Sequence, residues 1–561
     1  MSAFAFFTDS LLQGRDWKGL ELAIVRLLLH CGWKDVQYVG ESGDKGADVL
    51  ATKYNKKTRK IESFLFQVKS VHSDHLVGKA AIEQAVQGQA YYKTDIAVVV
   101  TNGDFTQSVR KRQIELSSQH YNVKLWNGAF LKELSTKMND SSAHCRKLRS
   151  YQDYVLHNVL DTYEKGGKRA LFIVATGLGK TVIASSATRH LFALGLKKVL
   201  VLCHSVDLAF QLQRAFWSQI GKSIPTRIFY NGAAPVPING INFGLYQTLF
   251  GYLGGISPSE FDLIIVDEAH HALAQGFVSC IEHLKPKFLI GMTATPWRSD
   301  GTSITALFGP PVAMVSLIDG MRMGFLAKVD YRLMCDNINW DEIPHLVKHH
   351  VTVKDLNKRL FIPQRDDAVV SNIIQVCSHL KSPKIEVFSP SVAHAEQFAR
   401  LLSSAGIKAC NLSVSDKIIR RQRLLQFSTG EIQALTAVDV LNEGIDVPDV
   451  NLLVFLRATH SRRIFIQQLG RGLRIAKDKE KVIVLDFVTD IRRIAAVSEL
   501  NTEAKNGKSP NAEFESVNLR DGVVTFSNEK VQPFIEAWLS DVASLQDCDD
   551  AQKLSFPDLE M

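Results

Sequence analysis

Hydrophobic and polar positions change period several times along the chain. Residues 17–30, WKGLELAIVRLLLH, are mostly apolar and predict a helix that stops at the following CGW. Shorter runs then alternate. ADVLAT and SFLFQVKS read as strands, KAAIEQAVQGQAYY as a helix, and DIAVVVTNG as a buried strand entering a turn. STKMNDSSAHCRKLRS has the polar composition of a linker. From Tyr151 onward strand, loop and helix repeat, which predicts α/β layers with parallel sheets. The pattern divides the chain into residues 1–135, a linker at 136–148, a layered unit at 149–328, a less regular segment at 329–365, a second layered unit at 366–500 and an extension at 501–561 whose role it leaves open.

Composition narrows the class. At 561 residues the chain exceeds the roughly 250–300 at which single cores stop growing, so several domains are expected. The net charge of +8 suits a polyanionic partner without proving one. Eight cysteines lie scattered with no C-x-x-C pair, so neither a zinc site nor a disulfide framework is signalled. MSAFAFFTDS lacks the basic start and apolar core of a signal peptide, and no run approaches the roughly 18 apolar residues of a membrane span. The expectation is a cytoplasmic protein with no membrane partner.

Two stretches carry chemistry. LFIVATGLGKTVIA is a buried strand, a loop Thr176-Gly177-Leu178-Gly179 and the start of a helix. The two glycines let backbone amides turn toward phosphate at the positive end of that helix. Lys180 would reach the β- and γ-phosphates of ATP, and Thr181 would hold magnesium. Val174 stands where the strict pattern has its first glycine. FDLIIVDEAHH is an apolar strand ending in two carboxylates: Asp267 can bind magnesium, and Glu268 can orient or deprotonate the attacking water. The second stretch is the strand SFLFQVKS. Phe64, Phe66 and Val68 share one face, while Gln67 and Lys69 take over the other. Before it, GESGDKGADVLA is a glycine-punctuated turn into a strand bearing Asp48, and the basic hairpin KYNKKTRK joins the two strands. Asp48 and the Gln67 oxygen could share magnesium, a hard cation that prefers oxygen ligands. Lys69 could position water and stabilise charge on a phosphate. Glu21, among leucine, isoleucine and valine on the opening helix, would be costly if buried unpaired, which argues that it points toward the metal.

Residues 148–490 resemble a superfamily 2 helicase core of the DEAH type, of the kind found in helicase subunits of restriction enzymes. LRSYQ resembles the adenine-reading motif, with Gln152 in the reading position, and TAT at 293–295 the element that couples ATP state to nucleic acid. VDVLNEGIDVPDV resembles motif V through Gly444 and Asp446, and QQLGRGLR motif VI through Gln467, Gly470, Arg471 and Arg474. HSVDLAFQ and YQTL sit where the first lobe of this family touches the phosphate backbone. The resemblance implies that Arg471 and Arg474 stabilise γ-phosphate charge when the lobes close. Residues 10–135 resemble the Mrr-like branch of the PD-(D/E)xK nucleases, whose pattern runs from a helix Glu through G-x-D to Q-x-K. Here those are Glu21, Asp48, Gln67 and Lys69, with Asp44 in the turn as an alternative ligand. Gln67 replaces the acidic ligand of the wider superfamily.

The fold these resemblances imply is α/β: an N-terminal restriction-endonuclease-like domain followed by two RecA-like parallel-sheet helicase lobes. The function they imply is an ATP-dependent DNA helicase or translocase with magnesium-dependent endonuclease activity, in restriction or antiviral defence. DNA, duplex or single-stranded, is the expected partner. No N-P-P-Y-like methyltransferase motif is present, so protection of host DNA would need an accessory methyltransferase or defence protein, or a modification-sensing rule. The alternative is a repair or remodelling helicase whose N-terminal domain only binds DNA.

Overall fold

A computed structural model describes residues 11, 13–14, 16–40, 45–72, 75–229, 234–272, 275–294, 304–334, 351–352, 366–414, 417–438, 450–456, 469–470, 472–473, 475, 479, 481–487, 524–526 and 553–554. They fall into two compact units, one of residues 1–168, 181–267 and 274–290, the other of 169–180, 268–273 and 291–561.

The first unit opens with α1 (Trp17–His30), capped by Asp16, whose side chain accepts from the Gly19 amide. A five-stranded sheet follows in the order β1-β2-β3-β5-β7. Its strands are β1 (Lys34–Tyr38), β2 (Val49–Asn55), β3 (Lys60–Lys69), β5 (Ile96–Thr101) and β7 (Val123–Trp126). The hairpin β2–β3 is antiparallel, pairing Val49 with Phe66 and Asn55 with Lys60. β5 and β7 add in parallel. Short β4 (Leu76–Val77) and β6 (Asp104–Phe105) pair separately. The intervening helices are α2 (Ala80–Tyr92), α3 (Gln107–Ser118) and α4 (Gly128–Lys137). On one face of β3, Phe64 and Phe66 meet Trp33 edge-on, with ring centroids 4.6 and 5.4 Å apart, and Trp126 closes on Phe66 at 5.4 Å. Edge-to-face contact of this kind suits the aromatic quadrupole. The other face, which carries Gln67 and Lys69, is buried as far as Gln67, because α2 lies over it.

The same unit continues through α5 (Ser150–Glu164). The P-loop strand β8 (Arg169–Val174) belongs to the second unit. Most of α6 (Lys180–Ala193) lies in the first unit. So do β9 (Lys198–Cys203), α7 (Val206–Trp217), β10 (Thr226–Phe229), β11 (Gly240–Leu245) and β12 (Leu263–Asp267). β10, β11, β9 and β12 run parallel in that order. The near-continuous valine, leucine and isoleucine of β9 and β12 is what two covered faces require. β13 (Phe288–Thr293) lies beside β12. The expected linker is no loose tether: His30 Nε2 lies 2.8 Å from the Asn139 carbonyl, the Ala143 amide donates to the His30 carbonyl, and Lys222 Nζ donates to the carbonyls of Ser135 and Met138.

In the second unit, β14 (Pro311–Val315) runs parallel to β8. A second sheet contains β15 (Lys328–Met334), β17 (Ile385–Phe388), β18 (Ala409–Asn411), β19 (Ala434–Ala437), β20 (Leu452–Phe455) and β21 (Lys481–Phe487). Its order is β18-β19-β17-β20-β21-β15-β22, β22 being Val524–Phe526. β15 therefore begins the segment expected to be irregular, pairing in parallel with β21; burial of Val329 and Tyr331, two residues apart, is the strand period that the sequence reading passed over. β16 (Val351–Thr352) pairs with β23 (Lys553–Leu554), so residues of the C-terminal extension contribute two strand pairings. No described helix is long and apolar enough to cross a membrane.

Candidate active sites

The G-x-D turn is shaped by glycine contact. Gly46 has φ +84°, and a Cβ there would fall 2.2 Å from the Gln84 carbonyl of α2. That close approach seats the turn on α2 and leaves Asp48 immediately before β2. Asp48 is buried, its amide donating to the Phe66 carbonyl and its own carbonyl accepting from Val39 and Gly40. Its Oδ2 accepts from Gln67 Nε2 and from the Val68 amide, each at 2.6 Å. Two N–H donors on one oxygen favour the carboxylate anion. Gln67 is equally buried, and its Oε1 has no hydrogen-bond partner among the described residues. Lys69 follows on the same face, half-buried. Gln67 and Lys69 line a pocket of about 390 Å³ together with Lys45, Gly46, Gln84, Gln87 and Tyr91.

Glu21 reaches this neighbourhood from α1. It is buried, and Tyr38 donates its hydroxyl to Glu21 Oε2 at 2.8 Å. The same oxygen lies so close to Gly40 that a Cβ there would be 2.7 Å away, and the Gly40 amide donates to the Asp48 carbonyl. Glu21, expected to point toward a metal, is hydrogen-bonded by Tyr38, which the sequence reading did not single out. Gln84, Gln87 and Tyr91 were missed too, although their spacing of three and four places them on one helix face. Asp44 lies outside the described residues.

A cation can be tested against this set. Among the described residues no group of three histidine, cysteine, aspartate or glutamate side chains gathers around a common point. A bound metal would therefore need the Gln67 carbonyl beside Asp48, and the buried, unpartnered Oε1 is an oxygen such an ion could satisfy. Gln67 would have to turn its amide, since Nε2 faces Asp48 in this structure. The donor set fits.

At the P-loop, Gly177 and Gly179 take φ +88° and +84°, left-handed conformations that an L side chain resists. They bracket Leu178, which is buried, while Thr176 is half-buried. Lys180 heads α6, with Nζ 3.2 Å from Glu268 Oε1, and Thr181 follows it. Asp267 ends β12 and is buried; its charge, after burial itself, helps push the Cys203 thiol up to about 12. Glu268, the residue after the strand, holds a left-handed backbone at φ 47°. His270, fully buried, lies with Nδ1 2.9 Å from Thr293 Oγ1 and 3.4 Å from Glu268 Oε2. A link thus runs from the turn at Glu268 to the first residue of TAT. Gln152 is buried at the start of α5 and accepts the Arg149 amide through Oε1 at 3.0 Å. Gly470 packs directly on the P-loop, where a Cβ would be 2.8 Å from Thr176 Cβ. Its neighbours Gln467, Arg471 and Arg474, with Gly444, Asp446 and Thr295, lie outside the described residues.

The N-terminal α/β sheet carries Asp48, Gln67 and Lys69, and the parallel layers after it carry the glycine loop with Lys180 beside Glu268. Comparison with known proteins finds a family match in three stretches of the chain. Residues 12–135 match the family described as "Restriction endonuclease", 146–298 "Type III restriction enzyme, res subunit", and 368–476 "Helicase conserved C-terminal domain". The chain thus carries an Mrr-type restriction endonuclease domain and the two lobes of a helicase. It is 23% identical over 406 residues to the putative ATP-dependent helicase IRC3 of Saccharomyces cerevisiae, covering 70% of this chain and 59% of that protein. It is 25% identical over 402 residues to the type I restriction enzyme EcoAI endonuclease subunit of Escherichia coli, covering 65% of this chain and 49% of that one. The chain thus spans only part of the curated relatives it matches. Among solved structures, a fragment of a putative HsdR subunit of a type I restriction enzyme from Vibrio vulnificus superposes with a TM-score of 0.47 at 21% identity, covering 82% of this chain and 88% of that one.

Proposed function

We propose that the chain is an ATP-driven DNA translocase or helicase that also hydrolyses DNA phosphodiester bonds, in restriction or antiviral defence. The observation that carries the nuclease half is the meeting of Asp48, the unpartnered Gln67 Oε1 and Lys69 beside one pocket. The motor half is carried by the P-loop with Lys180 held against Glu268.

Asp48 and Gln67 would hold magnesium in the nuclease domain, and Thr181 and Asp267 in the motor. When bound, that ion would neutralise phosphate charge and make water a better nucleophile. Lys69 would steady the developing charge on the scissile phosphate, and Glu21 would set the electrostatics behind it. Lys180 would bind the β- and γ-phosphates, leaving Glu268 to orient the hydrolytic water. Gln152 would read adenine, the loop Thr176–Gly179 cradle the phosphates, and Gly444, Asp446, Gln467, Arg471 and Arg474 complete the nucleotide site. The type I relative is named as a subunit, which supports an accessory recognition or methyltransferase protein as partner.

Asp48→Ala and Lys69→Ala test the reading. Each should stop cleavage of plasmid DNA with magnesium while leaving DNA-stimulated ATP hydrolysis intact. Cleavage by Asp48→Ala at the wild-type rate would leave a domain that only binds DNA.

A further inference from the structure

The hairpin between β2 and β3 has no task in either site, and its composition is unusual for a solvated turn. Lys56, Lys57, Arg59 and Lys60 are all exposed, and none forms an ion pair among the described residues. Four cations within five residues repel one another, so a turn left in water gains nothing from them. Two apolar side chains stand at the base of the tip as a cross-strand pair, Tyr54 opposite Ile61, 56% and 67% exposed. The tip is also stiff. Asn55 Oδ1 accepts from the Lys57 and Thr58 amides while its Nδ2 donates to Glu62 Oε1 at 2.6 Å. Arg59 sits at φ 55°, where glycine or asparagine would be less strained. A strained backbone that presents a long cation is a reason to look for what the cation meets.

We propose that this hairpin is a second DNA-docking element, gripping duplex phosphates with Lys56, Lys57, Arg59 and Lys60 while Tyr54 and Ile61 press on the sugar edges. The proposal deepens the nuclease reading and rests on it for what the grip accomplishes. β3 runs from the tip to Gln67 and Lys69. Nine steps at about 3.4 Å put Lys60 roughly 30 Å from Lys69, with Phe64 to Val68 buried between them, so the hairpin is a separate contact on the DNA and no part of the pocket. The grip would hold DNA in register with Asp48 and Gln67 without reading its sequence, as phosphate contacts do.

The test is binding of a 30-base-pair duplex (about three turns) to the full chain, without ATP or magnesium, across a series of salt concentrations. The variant is Lys56→Gln/Lys57→Gln/Arg59→Gly; glycine suits the backbone at 59, and thermal unfolding checks that the fold is kept. Each lost phosphate contact removes about 0.9 from the slope of log affinity against log salt, so the triple variant should lose about 2 to 3. Tyr54→Ser should weaken binding without changing the slope. An unchanged slope in a folded variant would overturn the proposal. If the triple variant fails to fold, Arg59→Gly alone should lose about 0.9, and no change there overturns it equally. Binding is read without cleavage, so a chain that bound through the hairpin but never cut would contradict the nuclease reading and leave this one standing.

Discussion

Tyr38 stacks on Phe210, their ring centroids 6.2 Å apart and their planes 28° from parallel. The tyrosine ends β1 of the nuclease sheet, and the phenylalanine lies on α7, the helix entered through HSVDLAFQ. Through its hydroxyl the same tyrosine holds buried Glu21. Further along α1, Arg26 donates to the Gly221 carbonyl at 3.1 Å and lies over the Trp217 ring. Glu21, a candidate site residue, is thereby tied through Tyr38 to a helix beyond the N-terminal sheet.

Tyr38→Phe should expose the importance of that tie. It keeps the ring against Phe210 but leaves a buried carboxylate without one donor, and hydrogen bonds to charged groups are worth about 1.5–3 kcal/mol. Chemical denaturation should show a loss of that order, with slower DNA cleavage and unchanged ATP hydrolysis. Unaltered stability and cleavage together would mean that Glu21 does not depend on Tyr38.

Lys180→Ala should abolish ATP hydrolysis, because the phosphates lose their charge clamp and Glu268 loses the cation 3.2 Å away. Glu268→Gln should keep nucleotide binding and slow turnover by about 10²–10⁴-fold, the usual worth of a positioned base. Nucleotide-binding titrations beside steady-state hydrolysis separate the two; normal turnover by Lys180→Ala would contradict the P-loop assignment.

Acid should loosen the joint between α1 and the segment that follows α4. Burial holds the His30 imidazole below its usual range, although its contact with the Asn139 carbonyl pulls the other way. The unfolded chain, with an ordinary value near 6.5, then takes up this proton more readily than the folded one. Stability from His30 is therefore present above about pH 6.5 and is lost as pH falls through the lower folded value. His30→Gln should flatten the dependence of melting temperature on pH in that window relative to wild type. Parallel curves for the two proteins would assign the acid response elsewhere.

The sequence carried the sites better than their surroundings. Asp48, Gln67 and Lys69 were readable because a two-residue spacing on one strand and a glycine-marked turn are local patterns, and the structure brings Asp48 and Gln67 to 2.6 Å. Lys180 and Glu268 were readable for the same reason. Tyr38 was not, because its value comes from α1 and α7 arriving beside it, which no local spacing announces. Gln84, Gln87 and Tyr91 read as the polar face of a helix, and only the fold places that face on the pocket. β15 was hidden because seven residues with charged and apolar positions mixed, KVDYRLM, look irregular without the partner strand β21.

The central claim is that motor and nuclease act on one DNA molecule as a single machine. The most direct measurement is the initial rate of duplex cleavage by the full chain, with magnesium, with and without ATP, beside the Lys180→Ala protein. The account predicts that ATP accelerates cleavage by the intact chain and does nothing for Lys180→Ala. Equal rates in all four reactions would contradict it, and would leave two activities that merely share a polypeptide.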